Sequence, residues 1–317
     1  MSYNAVEDLI KDKKMEVKVK SPASSANIGP CFDCAGIAFP LYNTVRVKKS
    51  DKNEIKVIID EKGDVRTFIV DEKNIIFQSI KRFYEKINRE PEGYEIYVET
   101  EIPIARGLGS SASVIAGTLI GINELNNKPL TEQDLIDIAA SIEGHPDNTT
   151  PAFVGGFVVA SIEDDGHVLY QKTEWPKEWK ITVCIPDYKL LTELARSVLP
   201  EKVDFKDAVY NIRKSAQLIT AVTGKNEDIM RSALKDRVHQ PYREKLIPGM
   251  HEIIEELNKE ENVLGCVLSG AGPTLAVITN NDNIENIKRI VYKIWYDLDI
   301  KHEIRTFEPE LNGAGVV

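Results

Sequence analysis

Residues 111–125, SASVIAGTLIGINEL, carry apolar side chains on nearly every face of a helix. Such a helix has to be covered on most of its sides, which demands a layered fold built around it. Gly117 and Gly121 lie one turn apart. They let a second backbone approach closely, at about 1 kcal/mol each in helix propensity. The stretch that leads in, PIARGLGSSAS (103–113), adds Gly107 and Gly109, which permit positive φ and close backbone approach. Such a loop turns successive N–H groups toward one point at the positive end of a buried helix. Ser110, Ser111 and Ser113 add hydroxyls suited to phosphate oxygens or a magnesium ion. The same residues also fit a plain glycine turn with a serine N-cap, and spacing alone leaves both readings open. The stretch has no lysine, so it is not a Walker A loop. GLGSSA matches a loose G-x-G-x-x-[GA], but several strands and a proline-containing segment precede it, which argues against a dinucleotide fingerprint.

Around this helix the pattern is mixed. MEVKVK, TVRV, EIKVIID and YEIYVET alternate with the period of half-buried strands, and 74–88 reads as an amphipathic helix. Thr131 with Asp134 forms a capping box opening the next helix, and Gly144 stops it. In the second half, helices are expected near 204–222, 226–236 and 283–296, and strands at 263–268, 274–279 and 301–307. Strands come in runs rather than strict βα alternation, so the expected class is α+β. A chain of 317 residues is long for one core. The charged stretch EDDGHVLYQKTEWPKEW (163–179) is the candidate boundary. The expected division is an N-terminal arm at 1–14, a first domain at 15–170 and a second at 171–317.

The net charge of −10 argues against a nucleic-acid binder, and no apolar stretch approaches the roughly 20 residues of a membrane helix. The start shows no cationic region followed by an apolar core, so no signal peptide is expected. Four scattered cysteines, Cys31, Cys34, Cys184 and Cys266, fit a reduced cytoplasmic protein. Cys31 and Cys34 form a C-x-x-C pair, but no second pair stands near to complete a zinc site, and they read as two small buried thiols.

Three further stretches join the glycine-serine loop: PASSANIGPCFDCAG (22–36), EGHPDNTTPAFVGG (143–156) and LSGAGPTLAVI (268–278). In this order, the set resembles the GHMP family of small-molecule kinases over essentially the whole chain. The resemblance implies a two-domain fold, with a ribosomal-protein-S5-like N-terminal ATP-binding domain and a ferredoxin-like C-terminal domain. ELARSVLP, QPYREKLIPG and the terminal NGAGVV are more similar to the branch that phosphorylates L-homoserine than to the mevalonate or galactose kinases. Another alcohol substrate within the family, or a catalytically silent relative that binds ATP, stays open as an alternative. Two departures stand out: Cys31 occupies a position usually held by glycine, and Cys34-Ala35 replaces bulkier apolar residues.

The resemblance also implies roles, with ATP and Mg²⁺ as cofactors. Pro103, Ile104, Ala105, Arg106, Gly107, Leu108, Gly109, Ser110, Ser111, Ala112 and Ser113 would wrap the triphosphate, with Gly270 and Gly272 closing from the second domain. Ser111 and Glu143 would hold the metal, a hard cation that prefers oxygen ligands. An anion at the C-terminal end of a helix, where Glu143 falls, is disfavoured by the macrodipole unless a cation meets it. Asn74 is either an adenine contact or a helix N-cap. Asn148 would orient the substrate hydroxyl, and His145 and Asp147 would sit in the substrate loop. Arg196 and Arg243 would clamp a carboxylate, and Asp33 with Asn27 would receive an ammonium. The implied partner is a small zwitterion, with no nucleic acid or membrane, and a homodimer is compatible with the reading.

Overall fold

The structure, a computed structural model, describes residues 15–281 and 284–317. The expected arm at 1–14 and position 283 of the last expected helix lie outside the described residues. Eight strands form the first sheet: β1 (Glu16–Ala26), β2 (Ala35–Lys49), β3 (Ile55–Glu61), β4 (Asp64–Ile69), β5 (Tyr94–Thr100), β6 (Phe157–Ile162), β7 (Val168–Thr173) and β12 (Gly315–Val316). Their order is β12-β1-β2-β5-β3-β4, with β6 pairing β2 and β7. Among the described residues, only the β3–β5 pair of this sheet is parallel. Helices α1 (Ile75–Lys86), α2 (Ser110–Leu125), α3 (Glu132–Glu143) and α4 (Thr149–Val154) accompany this sheet.

The second sheet is β11-β8-β10-β9, all antiparallel, from β8 (Lys180–Pro186), β9 (Val263–Leu268), β10 (Leu275–Thr279) and β11 (His302–Phe307). In chain order within this half that is 4-1-3-2, the ferredoxin-like arrangement. Its helices are α5 (Thr192–Ser197), α6 (Phe205–Gly224), α7 (Glu227–Ala233), α8 (Gln240–Arg243), α9 (Met250–Leu257) and α10 (Glu285–Asp297).

The α2 helix is buried nearly all round, as its composition demands. A Cβ on Gly117 would lie 2.5 Å from Val45 Cγ2, and one on Gly121 would run into Val47, so both glycines let α2 settle directly on β2. Ile115, Leu119 and Ile122 are fully buried there, each contributing about 1.5–3 kcal/mol. Three apolar clusters result. One lies between the first sheet and its helices, and one lies behind the second sheet under α9 and α10. The third joins Ile37, Phe39, Trp175, Trp179, Val183 and Leu218 from both halves, so the seam between the sheets is itself a core.

Two expectations need correction. The composition of SSANIGP (24–30) reads as a loop, yet 24–26 continue β1, because these residues are small enough to pass between neighbours, and Ser24 and Ser25 are fully buried. The division at 170/171 falls inside β7, which pairs with β6 in the first sheet, and β12 returns to pair with β1. We therefore place the seam at 174–179, with the last residues of the chain rejoining the first half.

Candidate active site

The phosphate-loop candidate connects β5 to α2. Gly107 and Gly109 take φ of +76° and +65°, and Gly109 is the N-cap of α2 without a side-chain cap. The first helical bond is donated by Ser113 N to Gly109 O, at 3.0 Å. The amides of Ser110, Ser111 and Ala112 therefore have no acceptor among the described residues. The loop is bolted to the second half: Ser269 Oγ donates to Gly107 O at 2.7 Å, Thr274 N to Arg106 O at 3.3 Å, and Leu190 N to Ala105 O at 3.0 Å.

Above these amides opens a cleft of about 360 Å³, within the range of small-molecule sites. Residues Pro103 to Ala112, Asn27, Asn74, Glu143, His145, Asn148, Arg196, Arg243 and Gly270 line it, as the motifs lead one to expect. Ser113 does not: it is fully buried and donates to Ser21 O at 2.9 Å. Gly272 also faces away, toward Ile247, Leu268 and Leu190. One end of the cleft is apolar, built by Ile59, Ile75, Ile76 and Val98. Sequence reading missed these residues as site residues, although the alternation of β3 and β5 turns Ile59 and Val98 the same way. Asn74 caps α1, its Oδ1 accepting from Ile76 N at 2.9 Å, and it lines the cleft as well.

At the other end, oxygen ligands and charges gather. Ser111 Oγ donates to Glu143 Oε1, joining the start of α2 to the end of α3. His145 Nδ1 meets Asp147 Oδ1 at 2.5 Å, while Asp147 Oδ2 is buried with no hydrogen-bond partner among the described residues. Asp33, His145 and Asp147 offer ligand atoms within 4.8 Å of one another. Burial works against a charged His145, but the bond to Asp147, helped by Glu143 and Asp33, outweighs it and raises its pKa. Arg196 grips Asp33 with two bonds of 2.7 and 3.0 Å. Arg243 spends Nε on Ala195 O (3.1 Å) and Nη1 on Gly270 O (3.0 Å), which leaves Nη2 without a partner among the described residues. Burial, then the charge of Arg196, pulls Arg243 down to about 10. Both guanidinium groups lie over Phe32, at 5.4 and 5.3 Å from its ring centre, a contact that no motif pointed to.

Asn27 lines the cleft and also braces the loop beside it: its Oδ1 accepts from Asp33 N (2.9 Å) and its Nδ2 donates to Gly270 O (3.1 Å). The left-handed positions here are Asn27, Gly29 and Asp33, with φ of 58°, 56° and 55°. Cys31 is not among them, and its side chain is buried in the seam core, so this position does not require glycine. Cys34 is only half-buried, unlike the other three thiols.

Comparison with known proteins settles the family. The model of the GHMP kinases N terminal domain matches residues 74–156, and that of the GHMP kinases C terminal domain matches residues 218–297. A homoserine kinase of Caldicellulosiruptor bescii is 41% identical over 303 residues, covering 95% of this chain and 96% of its own. The chain belongs to the GHMP kinase family. It is a kinase of the ATP-using type, and the cleft between its two halves lies where the family's motifs converge. A homoserine kinase of Clostridium botulinum strain Kyoto is 40% identical over 300 residues, covering 95% of this chain and 98% of its own. The crystal structure of homoserine kinase from Cytophaga hutchinsonii superposes with a TM-score of 0.84 at 25% identity, covering 95% and 97% of the two chains. The mevalonate kinase of Methanococcus jannaschii shares the fold alone, with a TM-score of 0.65 at 18% identity over 92% and 98% of the chains. No helix among the described residues is long and apolar enough to cross a membrane.

Proposed function

We propose that this kinase transfers the γ-phosphoryl group of ATP to the side-chain hydroxyl of L-homoserine, directly and in line. The observation that carries the substrate assignment is the gathering of both signs of charge at one end of the cleft, where His145, Arg196 and Arg243 line it, with Asp147 bonded to His145 and Asp33 to Arg196. Asp147 Oδ2 is buried and unpartnered beside Asp33, and Arg196 and Arg243 stand against Phe32. A buried carboxylate oxygen without a partner costs about 1–3 kcal/mol or more, which an ammonium group relieves. Arg243 Nη2 is left to meet a carboxylate at the other pole, beside an Arg196 whose fork Asp33 holds. A zwitterionic amino acid satisfies both; mevalonate and galactose offer no ammonium.

The protein's share of the reaction is positioning and charge stabilisation, which dominate phosphoryl transfer. The unpaired amides of Ser110 to Ala112 receive the phosphate tail at the start of α2. The apolar end of the cleft receives the base. Ser111 and Glu143 fit Mg²⁺: they are oxygen donors already in contact, with the carboxylate at a helix end that disfavours an uncompensated anion. When bound, the ion neutralises charge on the phosphates. Asn148, on the same cleft wall, holds the alcohol, and His145 fixes Asp147 through their 2.5 Å bond. The four free thiols support a cytoplasmic setting.

The test is a coupled assay of ADP release against homoserine, threonine, serine, mevalonate and galactose. The expected result is turnover selective for homoserine. Turnover on a non-amino-acid alcohol, with none on homoserine, would overturn the assignment.

A further inference from the structure

Asn148 occupies the N-cap of α4, where an asparagine ordinarily turns its side-chain oxygen onto a backbone amide of the first turn. It makes no such bond, because its φ/ψ of −97°/−40° already lie in the α region and Thr150 N reaches back to Pro146 O at 2.9 Å. Asn74 and Asn226, with extended backbone at the N-caps of α1 and α7, both do. The side chain of Asn148 is engaged elsewhere: Ser24 Oγ stands 3.3 Å from its backbone O and 2.9 Å from its Oδ1, and donates over the shorter of the two contacts. Ser24 is fully buried in β1, and its backbone N donates to Leu108 O of the phosphate loop at 3.2 Å. The glycine at 109 leaves room for this arrangement, since a Cβ there would run into Ser24 Oγ and lie 3.1 Å from Asn148 Oδ1.

A hydroxyl has one hydrogen to donate, and a carboxamide has one accepting end and one donating end. With the oxygen end held by Ser24, the NH₂ end is the one directed into the cleft that Asn148 lines beside Ser111 and Glu143. We propose that Ser24 is a positioning residue that fixes the polarity of Asn148, so that the acceptor alcohol meets a hydrogen-bond donor. This rests on the reading of Asn148 as the hydroxyl contact. The alcohol oxygen then accepts from Asn148 Nδ2, and its own hydrogen is left to point at the phosphoryl oxygens. In the transfer the new O–P bond forms as the bond from γ-phosphorus to the bridging oxygen breaks. The electron pair leaves on ADP, and the alcohol proton passes to a phosphoryl oxygen of the product. Without the serine hydroxyl the amide is free to flip, and half of its orientations present an oxygen that competes for the alcohol's hydrogen.

The experiment compares Ser24→Thr with Ser24→Val, which match in shape and differ in the hydroxyl, alongside Ser24→Ala. The readouts are kcat and both KM values. Ser24→Val and Ser24→Ala are expected to lower kcat about 10-fold, with KM for ATP within twofold, and Ser24→Thr to restore it. On an Asn148→Ala background, Ser24→Ala is expected to cost nothing further, since the group it orients is gone. An unchanged kcat in Ser24→Ala, a Ser24→Thr enzyme as slow as Ser24→Val, or an undiminished loss on the Asn148→Ala background would overturn the inference. Full turnover by Asn148→Ala alone would remove the hydroxyl contact on which it rests. The homoserine assignment is judged separately by the substrate panel.

Discussion

Replacing Gly107 by alanine strikes the phosphate loop where it is wedged between the two halves. At φ +76° a Cβ costs about 1–2 kcal/mol in strain. The added carbon would run into Ser269 O and lie 2.8 Å from Gly272 O, both of them backbone atoms that cannot swing aside. Relief requires the 269–274 segment to move, at the expense of the bonds from Ser269 Oγ to Gly107 O and from Thr274 N to Arg106 O. At about 1 kcal/mol for each bond, the total reaches about 3–4 kcal/mol. The displaced atoms are those that aim the amides of Ser110 to Ala112. Part of the cost therefore appears in nucleotide binding, with the KM for ATP rising about 10- to 100-fold, or about 1.4–2.7 kcal/mol. Gly166→Ala is the control. Its φ is +84° and nothing lies within 4 Å of its Cβ, so it carries strain without collision. It should lose about 1 kcal/mol in chemical denaturation and keep its KM for ATP. Equal stability losses in the two variants, with an ATP KM unchanged in both, would refute the wedge.

Arg196→Met removes the fork that holds Asp33, and the KM for homoserine should rise about 10- to 100-fold, the worth of a charged hydrogen bond, while the KM for ATP stays within twofold. Steady-state kinetics with each substrate varied decides it. His239 is held below its ordinary range chiefly by burial, against the pull of Asp236 and its bond to Gly29 O. The unfolded chain then takes up this proton first as pH falls below about 6.5, so stability declines from there downward. His239→Gln should flatten that acid slope in denaturation curves taken between pH 7 and 5, and an unaltered slope would count against the assignment. Thr131→Ala breaks the capping box of α3 and should cost about 1 kcal/mol of stability with kcat unchanged, read by denaturation and turnover together.

The parts of the fold legible in the sequence are those that one periodicity or one cap determines locally. The α2 helix, the Thr131–Asp134 capping box, the left-handed Gly144 and the strands β9, β10 and β11 all stand close to their expected bounds. What stayed hidden is set by partners far along the chain. The segment Ser21–Ala26 reads as polar and small, yet it is buried strand because β2, α4 and the 269–270 loop close over it. The α4 helix has six residues with proline in its first turn, too short for a periodic signal. The α5 and α8 helices are shorter than two turns, and they matter because they carry Arg196 and Arg243.

The site divides along the same line. Backbone-built features, the left-handed glycines and the unpaired amides, follow from residue types that admit few alternatives. Side chains with two faces do not. Asn27, Asn74 and Asn148 are the same residue type in three motifs, and each carries a donor and an acceptor that the protein can use for itself or leave to a ligand. Asn27 spends both on Asp33 and Gly270, Asn74 spends its acceptor on the cap of α1, and Asn148 gives its acceptor to Ser24. Which use wins depends on whether another segment brings a competing partner within about 3 Å. For Asn148 that partner lies 124 positions away in the chain. The backbone of Asn148 is already in the α region, so its side chain is not committed to a cap. It is left to serve the cleft that Asn148 shares with Ser111 and Glu143, with its acceptor end turned to Ser24.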